Sequence, residues 1–381
     1  MATIQSYQKD GQKYYKFQLY VGIDPLTGKS IKTTRRGFKT KKEAQLAISR
    51  LQLEIEQGAF RKQTLDTYQD VYNLWIDKYR LTVKESTFVK TKEIFKLHIL
   101  PLFGEYKIDK INVQVCQKHV NEWFSTLKKY RSIRAYASKV LDHAVTLGII
   151  ANNVMKNVTM PVNIDPPQED EQENFYTKEQ LVQFLKYLKQ EGNFKHYALF
   201  RLLAFSGMRK GEALALTWND INFTSKEIRI NKTLSSGENN RLFVQTPKTK
   251  NSIRTLKMDK ITLDILEEWN KLQKQDYLKL GINTLKPNQL VFSNEDNKYL
   301  QPAMTRKWMI RIQDKYSLKK ITTHGLRHTH CSLLFEAGAS IKEVQERLGH
   351  SDIQTTMNIY THVTEKAKDE AAQKFASYMN F

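Results

Sequence analysis

Two segments place arginine and histidine at spacings that suit the binding of an anion. In SGMRKGEALAL, Arg209 and Glu212 are three residues apart, so one helical turn lets the carboxylate orient the guanidinium. In HGLRHTH, His324 and Arg327 have the same spacing at the predicted start of a helix. Backbone N–H groups at a helix N-terminus already favour negative charge. These residue types indicate a site for an oxyanion or a phosphate.

Other chemistries lack the residues that they need. His324 and His328 are four residues apart, as in some metal sites, but no HExxH, CxxC or dense acidic cluster accompanies them. Arg327 between them would repel a cation. The sequence also has no GxSxG elbow, GxxxxGK[ST] loop or GxGxxG fingerprint. We therefore expect no metal and no cofactor.

The composition favours a folded protein that binds a polyanion. The 381 residues include 61 Lys and Arg against 40 Asp and Glu, a net charge of +21, while 40% hydrophobic residues are enough for packed cores. Cys116 and Cys331 are the two cysteines; they are far apart, which argues against a disulfide scaffold and fits a reducing cytoplasm. No apolar run is long enough to span a membrane, and no apolar leader is present.

Charge and proline content divide the chain into three domains and a linker. Residues 1–63 carry +8, residues 64–160 carry +6 and residues 176–381 carry +12, whereas residues 161–175 carry −5 and include three prolines. That stretch predicts an extended linker. Two basic bodies joined in this way could close around a polyanion, and a linker that serves solubility alone is an equally good explanation.

The first domain is predicted to be a small sheet backed by a helix. Apolar and polar residues alternate in KYYKFQLYV, SIKTTRRGF gives a second basic strand, and Thr40 with Glu43 forms a capping box. The outward face mixes cations and hydrogen-bonding groups that suit a DNA groove. Its candidate contact residues are Tyr14, Lys16, Gln18, Tyr20, Lys32, Arg35 and Arg36. A solvated face without a ligand is the competing explanation.

The other two domains are predicted to be mainly helical. Helical spacing in residues 64–160 gives four or five helices. In residues 176–381, Thr177 and Gln180 cap a first helix, and EIRINKTL, RLFVQTP and SIRTLKM form one small antiparallel sheet between helices. The predicted fold class is therefore multidomain and mainly α with small β-sheets, with an α+β third domain.

In their order and spacing, these motifs resemble the active site of the tyrosine recombinases of the phage integrase family, which temperate phages and integrative elements carry. The lysine of the family pattern falls in the turn TPKTKNSIRTL, where Lys248 matches better than Lys250. The last two elements are the histidine of LGH and the tyrosine of NIYTHV. The matched catalytic set is Arg209, Lys248, His324, Arg327, His350 and Tyr360, with Glu212 supporting Arg209.

The resemblance implies a role for each residue type. Tyr360 would attack the scissile phosphate to give a 3′-phosphotyrosine and a free 5′-hydroxyl, without ATP or metal. Two guanidiniums suit the nonbridging oxygens of the transition state, and Lys248 would protonate the leaving oxygen. His324 or His350 would help to remove the phenolic proton, and His350 would also bind the phosphate. No such role is implied for His328 or His330, for which helix packing or a backbone contact is expected.

The resemblance also implies an assembly on DNA. The first domain would be a three-stranded sheet that binds arm-type sites, and the helical, SAM-like second domain would form a clamp with the catalytic domain on core-type sites. Four copies would recombine two duplexes, helped by DNA-bending and excision factors, in the cytoplasm and nucleoid of a bacterial host. The C-terminal KAKDEAAQKFASYMNF would be a helix that docks on a neighbouring copy.

The expected function is thus integration and excision of a mobile element by site-specific DNA recombination. Two alternatives stay open. A DNA-binding architectural or regulatory protein could keep the fold without the chemistry. A type IB topoisomerase shares the phosphotyrosine step but relaxes supercoils as a monomer, and the arm-like first domain disfavours it.

Overall fold

The computed structural model describes most of the chain, namely residues 3–9, 11–23, 30–56, 67–163, 173–247, 252–286, 288–354, 356–357 and 379. Its contacts group into two compact units, residues 1–83 with 90–162 and residues 84–89 with 163–381. Residues 164–172 of the predicted linker lie outside the described residues. No helix in the described ranges has the length and apolar character that crossing a bilayer requires.

The first unit begins with the predicted sheet and helix. Strands β1 (Thr3–Lys9), β2 (Gln12–Ile23) and β3 (Ser30–Phe38) form an antiparallel sheet in that order, and helix α1 (Lys41–Glu56) follows. Alternate residues of β2 pack on one side of α1 because strand side chains point to opposite faces. The small core contains Phe17, Leu19, Ala44, Ile48 and Leu51. The prediction of a sheet backed by a helix is confirmed.

The start of α1 differs slightly from the predicted capping box. The Thr40 hydroxyl accepts a hydrogen bond from the Glu43 N–H at 3.2 Å, as the motif requires. The Glu43 carboxylate, however, accepts from the N–H of Lys39 at 3.0 Å rather than from that of Thr40. Both bonds still satisfy N–H groups that helix formation leaves without partners.

Helices fill the rest of the first unit. They are α2 (Tyr68–Arg80), α3 (Glu85–Ile94), α4 (Leu100–Phe103), α5 (Val113–Thr126) and α6 (Tyr130–Thr146), with a π-helical turn before α4. The first half of α3, up to residue 89, groups with the second unit. Their core is rich in aromatic side chains, among which Tyr68, Phe95 and Phe103 are fully buried. Five α-helices in the described part of residues 64–160 agree with the predicted four or five.

The second unit is built mainly from seven described helices. Three precede its strands in the chain: α7 (Lys178–Gln190), α8 (Phe194–Ser206) and α9 (Lys210–Ala215). Helix α10 (Lys260–Lys279) follows the strands. Three complete it: α11 (Pro302–Lys315), α12 (Gly325–Glu336) and α13 (Ile341–Leu348). The predicted Thr177–Gln180 capping box is present. Helix α8 is buried along most of its length, because the other helices pack around it.

The described strands of this unit form two sheets, so the prediction of one sheet was wrong. Strands β4 (Ile221–Asn222), β5 (Glu227–Ile230) and β8 (Arg254–Lys257) form one, and β6 (Thr233–Ser236) pairs with β7 (Leu242–Gln245) in the other. The segment EIRINKTL is interrupted at Asn231 and Lys232, which separates β5 from β6. Strand β8 then passes the β6–β7 hairpin and pairs with β5.

Candidate active site

Arg209 lies where helix α8 ends and α9 begins. Gly207 closes α8 in the left-handed region, with φ of 63°, and turns the chain into α9. The Glu212 carboxylate accepts from the Arg209 backbone N–H at 2.9 Å and from its guanidinium at 3.0 Å. The Glu212 side chain is only 3% exposed, whereas that of Arg209 is 39% exposed. The carboxylate predicted from the spacing therefore fixes a guanidinium that still reaches solvent.

Arg327 is a buried cation held by backbone carbonyls. It lies in the first turn of α12, is 2% exposed, and donates to the carbonyls of Gly207 at 2.8 Å and Leu348 at 2.7 Å. In the described part of the chain no carboxylate forms an ion pair with it. Burial, followed by the charges of Arg209 and Arg254, lowers the pKa of Arg327 to about 9, so it is still charged at neutral pH.

Two histidines lie within the field of these arginines. Burial, then the charges of Arg327 and Arg209, lowers the pKa of His350 to about 3. Burial, then His328 and Arg327, lowers the pKa of His324 to about 4. Both imidazoles are therefore neutral at pH 7 and can accept a proton. The Nδ1 of His350, just after α13, lies 2.9 Å from the Thr356 hydroxyl, which fixes the ring.

Arg254 is a member of the site that the sequence analysis missed. It begins strand β8 and forms a fork with Glu212, at 3.0 Å to Oε2 and 3.4 Å to Oε1. Its Nε donates to the carbonyl of Arg347 at 2.9 Å. A signal was available, because Arg254 alternates with Leu256 on the buried face of a predicted strand, where an arginine needs a partner. In the described part of the site, Glu212 thus pairs with two guanidiniums, and its charge also acts on that of Arg327.

A basic cavity of about 580 Å³ adjoins this cluster. Arg209 and His324 line one part of it, and Lys210, Arg306 and Lys320 bring further positive charge. Met309 and Ile321 contribute apolar wall. The cavity gives the more exposed Arg209 access to a large anionic ligand.

The neighbouring histidines have packing roles. His330 Nδ1 lies 2.9 Å from the carbonyl of Ala204, and its Nε2 accepts from Arg347 at 3.0 Å, which confirms the expected backbone contact. The His328 ring stands edge-on to that of His324, with centroids 4.8 Å apart. Within the described ranges no group of three or more His, Cys, Asp or Glu could hold a metal ion.

The comparisons with known proteins agree with these motifs. A model of the phage integrase family matches residues 174–367, and models of its SAM-like N-terminal domain and of an arm DNA-binding domain match residues 67–124 and 3–55. A tyrosine recombinase XerC-like protein of Caldanaerobacter subterraneus is 32% identical over 98% of each chain. This chain belongs to the phage integrase family.

The recombinase has further relatives of similar length. The ICEBs1 integrase of Bacillus subtilis is 29% identical over 94% of this chain and 96% of its own. Among solved structures, a Tn1549 transposon integrase with circular intermediate DNA has a TM-score of 0.66 at 20% identity, covering 82% of this chain and 100% of the other. A lambda integrase tetramer on a Holliday junction has a TM-score of 0.55 at 14% identity, covering 93% and 94%. These structures share the fold of the recombinase.

The structure brings together five of the seven residues predicted for the recombinase site: Arg209, Glu212, His324, Arg327 and His350. The pKa shifts of His324, Arg327 and His350 arise partly from the charges of other residues in this set, as expected for close neighbours. Lys248, its alternative Lys250 and Tyr360 lie outside the described residues, as does most of the predicted C-terminal helix. The enzyme is a tyrosine recombinase, a class that cuts and rejoins DNA at specific sites.

The predicted DNA-contact residues lie on the N-terminal sheet. Lys16, Gln18 and Tyr20 share one face of β2, where they pair with Arg36, Thr34 and Lys32 of β3. Tyr14 belongs to the same face, opposite Tyr7 of β1. Part of this face forms a polar hollow of about 480 Å³. Arg35 pairs with the buried Phe17, so the register places it on the opposite face.

Proposed function

We propose that this enzyme integrates and excises a mobile element by cutting DNA with Tyr360. The phenolic oxygen attacks the scissile phosphorus, the bond from phosphorus to the 5′-oxygen breaks, and a 3′-phosphotyrosine and a 5′-hydroxyl result. The phosphodiester energy is kept in the new ester. Religation to another strand therefore needs no ATP.

The observation that carries this proposal is the excess of fixed positive charge around Arg209 and Arg327. Glu212 forms ion pairs with Arg209 and Arg254, and no carboxylate in the described part of the site contacts the third guanidinium, that of Arg327. Among the described residues, Arg327 is buried with carbonyl hydrogen-bond partners and with no carboxylate in direct contact. A buried charge without a countercharge in contact is costly, and a phosphodiester would supply one. Planar guanidiniums also fit the two nonbridging oxygens that gain charge in the transition state.

The remaining groups would move the two protons of the reaction. His324 or His350, both neutral at pH 7, would accept the phenolic proton of Tyr360 once a bound phosphate offsets the positive charges that lower their pKa values. Lys248 would donate a proton to the leaving 5′-oxygen, with Lys250 as the second candidate. In this scheme His350 would also hydrogen-bond the phosphate.

We further propose that the first domain binds arm-type DNA sites. The shared polar and basic face of β2 and β3 supports a groove contact through Tyr14, Lys16, Gln18, Tyr20, Lys32 and Arg36. Recombination would use four copies of the chain, each bound to a duplex core site. It would take place in the host cytoplasm, with accessory factors that bend DNA or direct excision. The predicted boundaries at residues 63, 160 and 175 are proposed as the limits of its domains.

Trapping the covalent intermediate tests the reaction. Mapping the junctions of the element gives the attachment site, and a nicked suicide duplex carrying it is incubated with enzyme in EDTA. We expect a covalent adduct with wild-type enzyme and with the control Tyr187→Phe, a residue of α7 whose ring stacks on that of Tyr316. Tyr360→Phe should bind the duplex but form no adduct. An adduct that survives this substitution would contradict the proposal.

The same preparation separates the alternatives. An architectural protein would bind the duplex without any adduct. A type IB topoisomerase would relax a supercoiled plasmid that lacks attachment sites, whereas an integrase joins strands from two attachment-site duplexes. We expect recombinant product from the two duplexes and no relaxation of the plasmid.

A further inference from the structure

We infer that Arg254 is a positioning residue for strand cleavage: it occupies the Glu212 carboxylate so that the charge of Arg209 stays available to the scissile phosphate. The inference rests on the proposed function, in which Arg209 binds that phosphate. Arg254 itself has no contact with DNA in this scheme.

The geometry of Glu212 carries the first step. Its Oε2 accepts from the Arg209 backbone N–H at 2.9 Å and from Arg254 Nη2 at 3.0 Å. Its Oε1 accepts from Arg209 Nη1 at 3.0 Å and from Arg254 Nη1 at 3.4 Å. Arg254 thus bridges both oxygens, while the Arg209 guanidinium is limited to one. No other described residue accepts a hydrogen bond from that guanidinium, so its remaining N–H groups can bind a ligand.

Burial and charge give the second step. The side chains of Arg254 and Glu212 are 7% and 3% exposed, so the two charges face each other away from water. Burial tends to raise the pKa of the Glu212 carboxyl, but the charge and hydrogen bonds of Arg254, followed by those of Arg209, lower it overall. The Glu212 carboxylate is therefore negatively charged, and Arg254 provides most of the positive charge that compensates it. The partly exposed Arg209 keeps a net positive charge.

The loss of Arg254 would change what Glu212 does. A buried carboxylate with one cation within reach forms the bidentate pair that arginine favours. The Arg209 guanidinium would then turn onto both oxygens, and its charge would be cancelled before a phosphate arrives.

Arg254 also binds the chain segment whose carbonyl accepts a hydrogen bond from Arg327. Its Nε donates to the carbonyl of Arg347, and the next carbonyl along the chain, that of Leu348, accepts from Arg327. One side chain thereby links strand β8, the start of α9 and the end of α13. The Arg347 carbonyl that Arg254 binds lies three residues before His350.

The first experiment compares two buried arginines in the full-length enzyme. Arg254→Met removes the proposed positioning group. Arg201→Met is the matched control, because Arg201 is 14% exposed and pairs with Asp259 outside the site. We expect single-turnover cleavage of the suicide duplex to fall roughly tenfold to a hundredfold in Arg254→Met and to stay near wild type in Arg201→Met, with duplex affinity unchanged in both. Arg254→Lys, which keeps the charge but loses the fork, should fall in between.

A double-mutant cycle tests whether the effect passes through Arg209. If it does, adding Arg254→Met to Arg209→Ala costs little further activity, because the group being positioned is already gone. Independent losses that multiply would overturn the inference, and so would wild-type cleavage in Arg254→Met. A wild-type enzyme that forms no adduct would instead refute the proposed function.

A crystal structure of Arg254→Met decides the positioning role without any chemistry. We expect the Arg209 guanidinium to contact both carboxylate oxygens of Glu212. An Arg209 that stays on Oε1 alone would overturn the inference, whether or not the enzyme cleaves DNA.

Discussion

At the scale of single residues, the site depends on local pairs that a sequence reveals and on distant pairs that it hides. Arg209 and Glu212 are three residues apart, so helical geometry alone predicts their contact. Arg254 reaches the same carboxylate from 42 residues away. The carbonyl partners of Arg327 are equally invisible, because every residue has a carbonyl and only the tertiary fold selects two of them. Residue types predicted the chemistry, and packing decided which charges stay unpaired.

Burial of histidine predicts that acid destabilises the enzyme. Burial, then the charge of Arg347, lowers the pKa of His330 from the usual 6.5 to about 3. Between those values the unfolded chain binds a proton that the folded chain does not, so stability falls as the pH drops through this window. We expect His330 alone to cost about 2 kcal/mol between pH 7 and pH 5.

Urea unfolding at both pH values measures this effect. His330→Met should be less stable at pH 7, because two hydrogen bonds are lost, but its stability should change less with pH than that of wild type. Thr329→Val, at a buried position on the same helix, also loses hydrogen bonds but removes no titratable group, so this control should keep the wild-type pH dependence. An unchanged pH dependence in His330→Met would contradict the prediction.

At the scale of elements, helices were easier to predict than strand pairing. Caps such as Thr177 with Gln180 and the C-terminal Gly207 are local signals, and both are found in the structure. Sheet pairing depends on contacts between distant segments. The short strands β5 and β8 gave no signal that they would pair across the β6–β7 hairpin. The single-sheet prediction failed for this reason.

The close packing around Gly207, where α8 ends, predicts that one added methyl group lowers the stability and the cleavage rate strongly. A Cβ on Gly207 would lie 2.5 Å from Cδ2 of His330 and 2.6 Å from Cδ2 of Leu348. Gly192 is a matched control, since it has a similar φ of 72° but no atom within 4 Å of its Cβ position. Alanine costs about 1–2 kcal/mol at either site for the left-handed backbone, and overpacking adds about 1–3 kcal/mol at Gly207.

Stability and cleavage assays of the two alanine variants check this. Gly207→Ala should be the less stable variant and should also cleave more slowly, because the Gly207 carbonyl holds Arg327. Gly192→Ala should cleave like wild type. Equal stability of the two variants would show that the junction is looser than its distances indicate.

At the scale of the whole molecule, composition predicted the partner and motif order predicted the family. The net charge of +21 indicated a polyanion, and the three matched family models cover the sheet, the helical segment and the catalytic segment. Composition alone does not say where along the chain each ligand binds. Our proposal for the arm-site contacts rests on the register of β2 and β3, which separates Arg35 from the other candidate residues.

The charge of the first domain predicts separable DNA contacts. Deleting residues 1–63 removes +8 of the +21 and should abolish arm-site binding while sparing core-site cleavage. Lys16→Gln with Lys32→Gln should weaken arm-site binding more than Lys41→Gln with Lys42→Gln, which removes the same charge from exposed positions on α1. Affinity measured against salt concentration separates the two effects, because lost phosphate contacts make the slope shallower. Unchanged arm-site affinity after the deletion would refute the assignment.

The two carbonyls that hold Arg327 tie cutting to the completion of folding. One belongs to Gly207, 120 residues earlier, and the other to Leu348, near the end of the described chain. A chain that is still being synthesised can already fold its basic first domain. Arg327 gains both of its carbonyl contacts only after Leu348 has been added. An unfinished chain therefore lacks the buried guanidinium that we propose for strand cleavage.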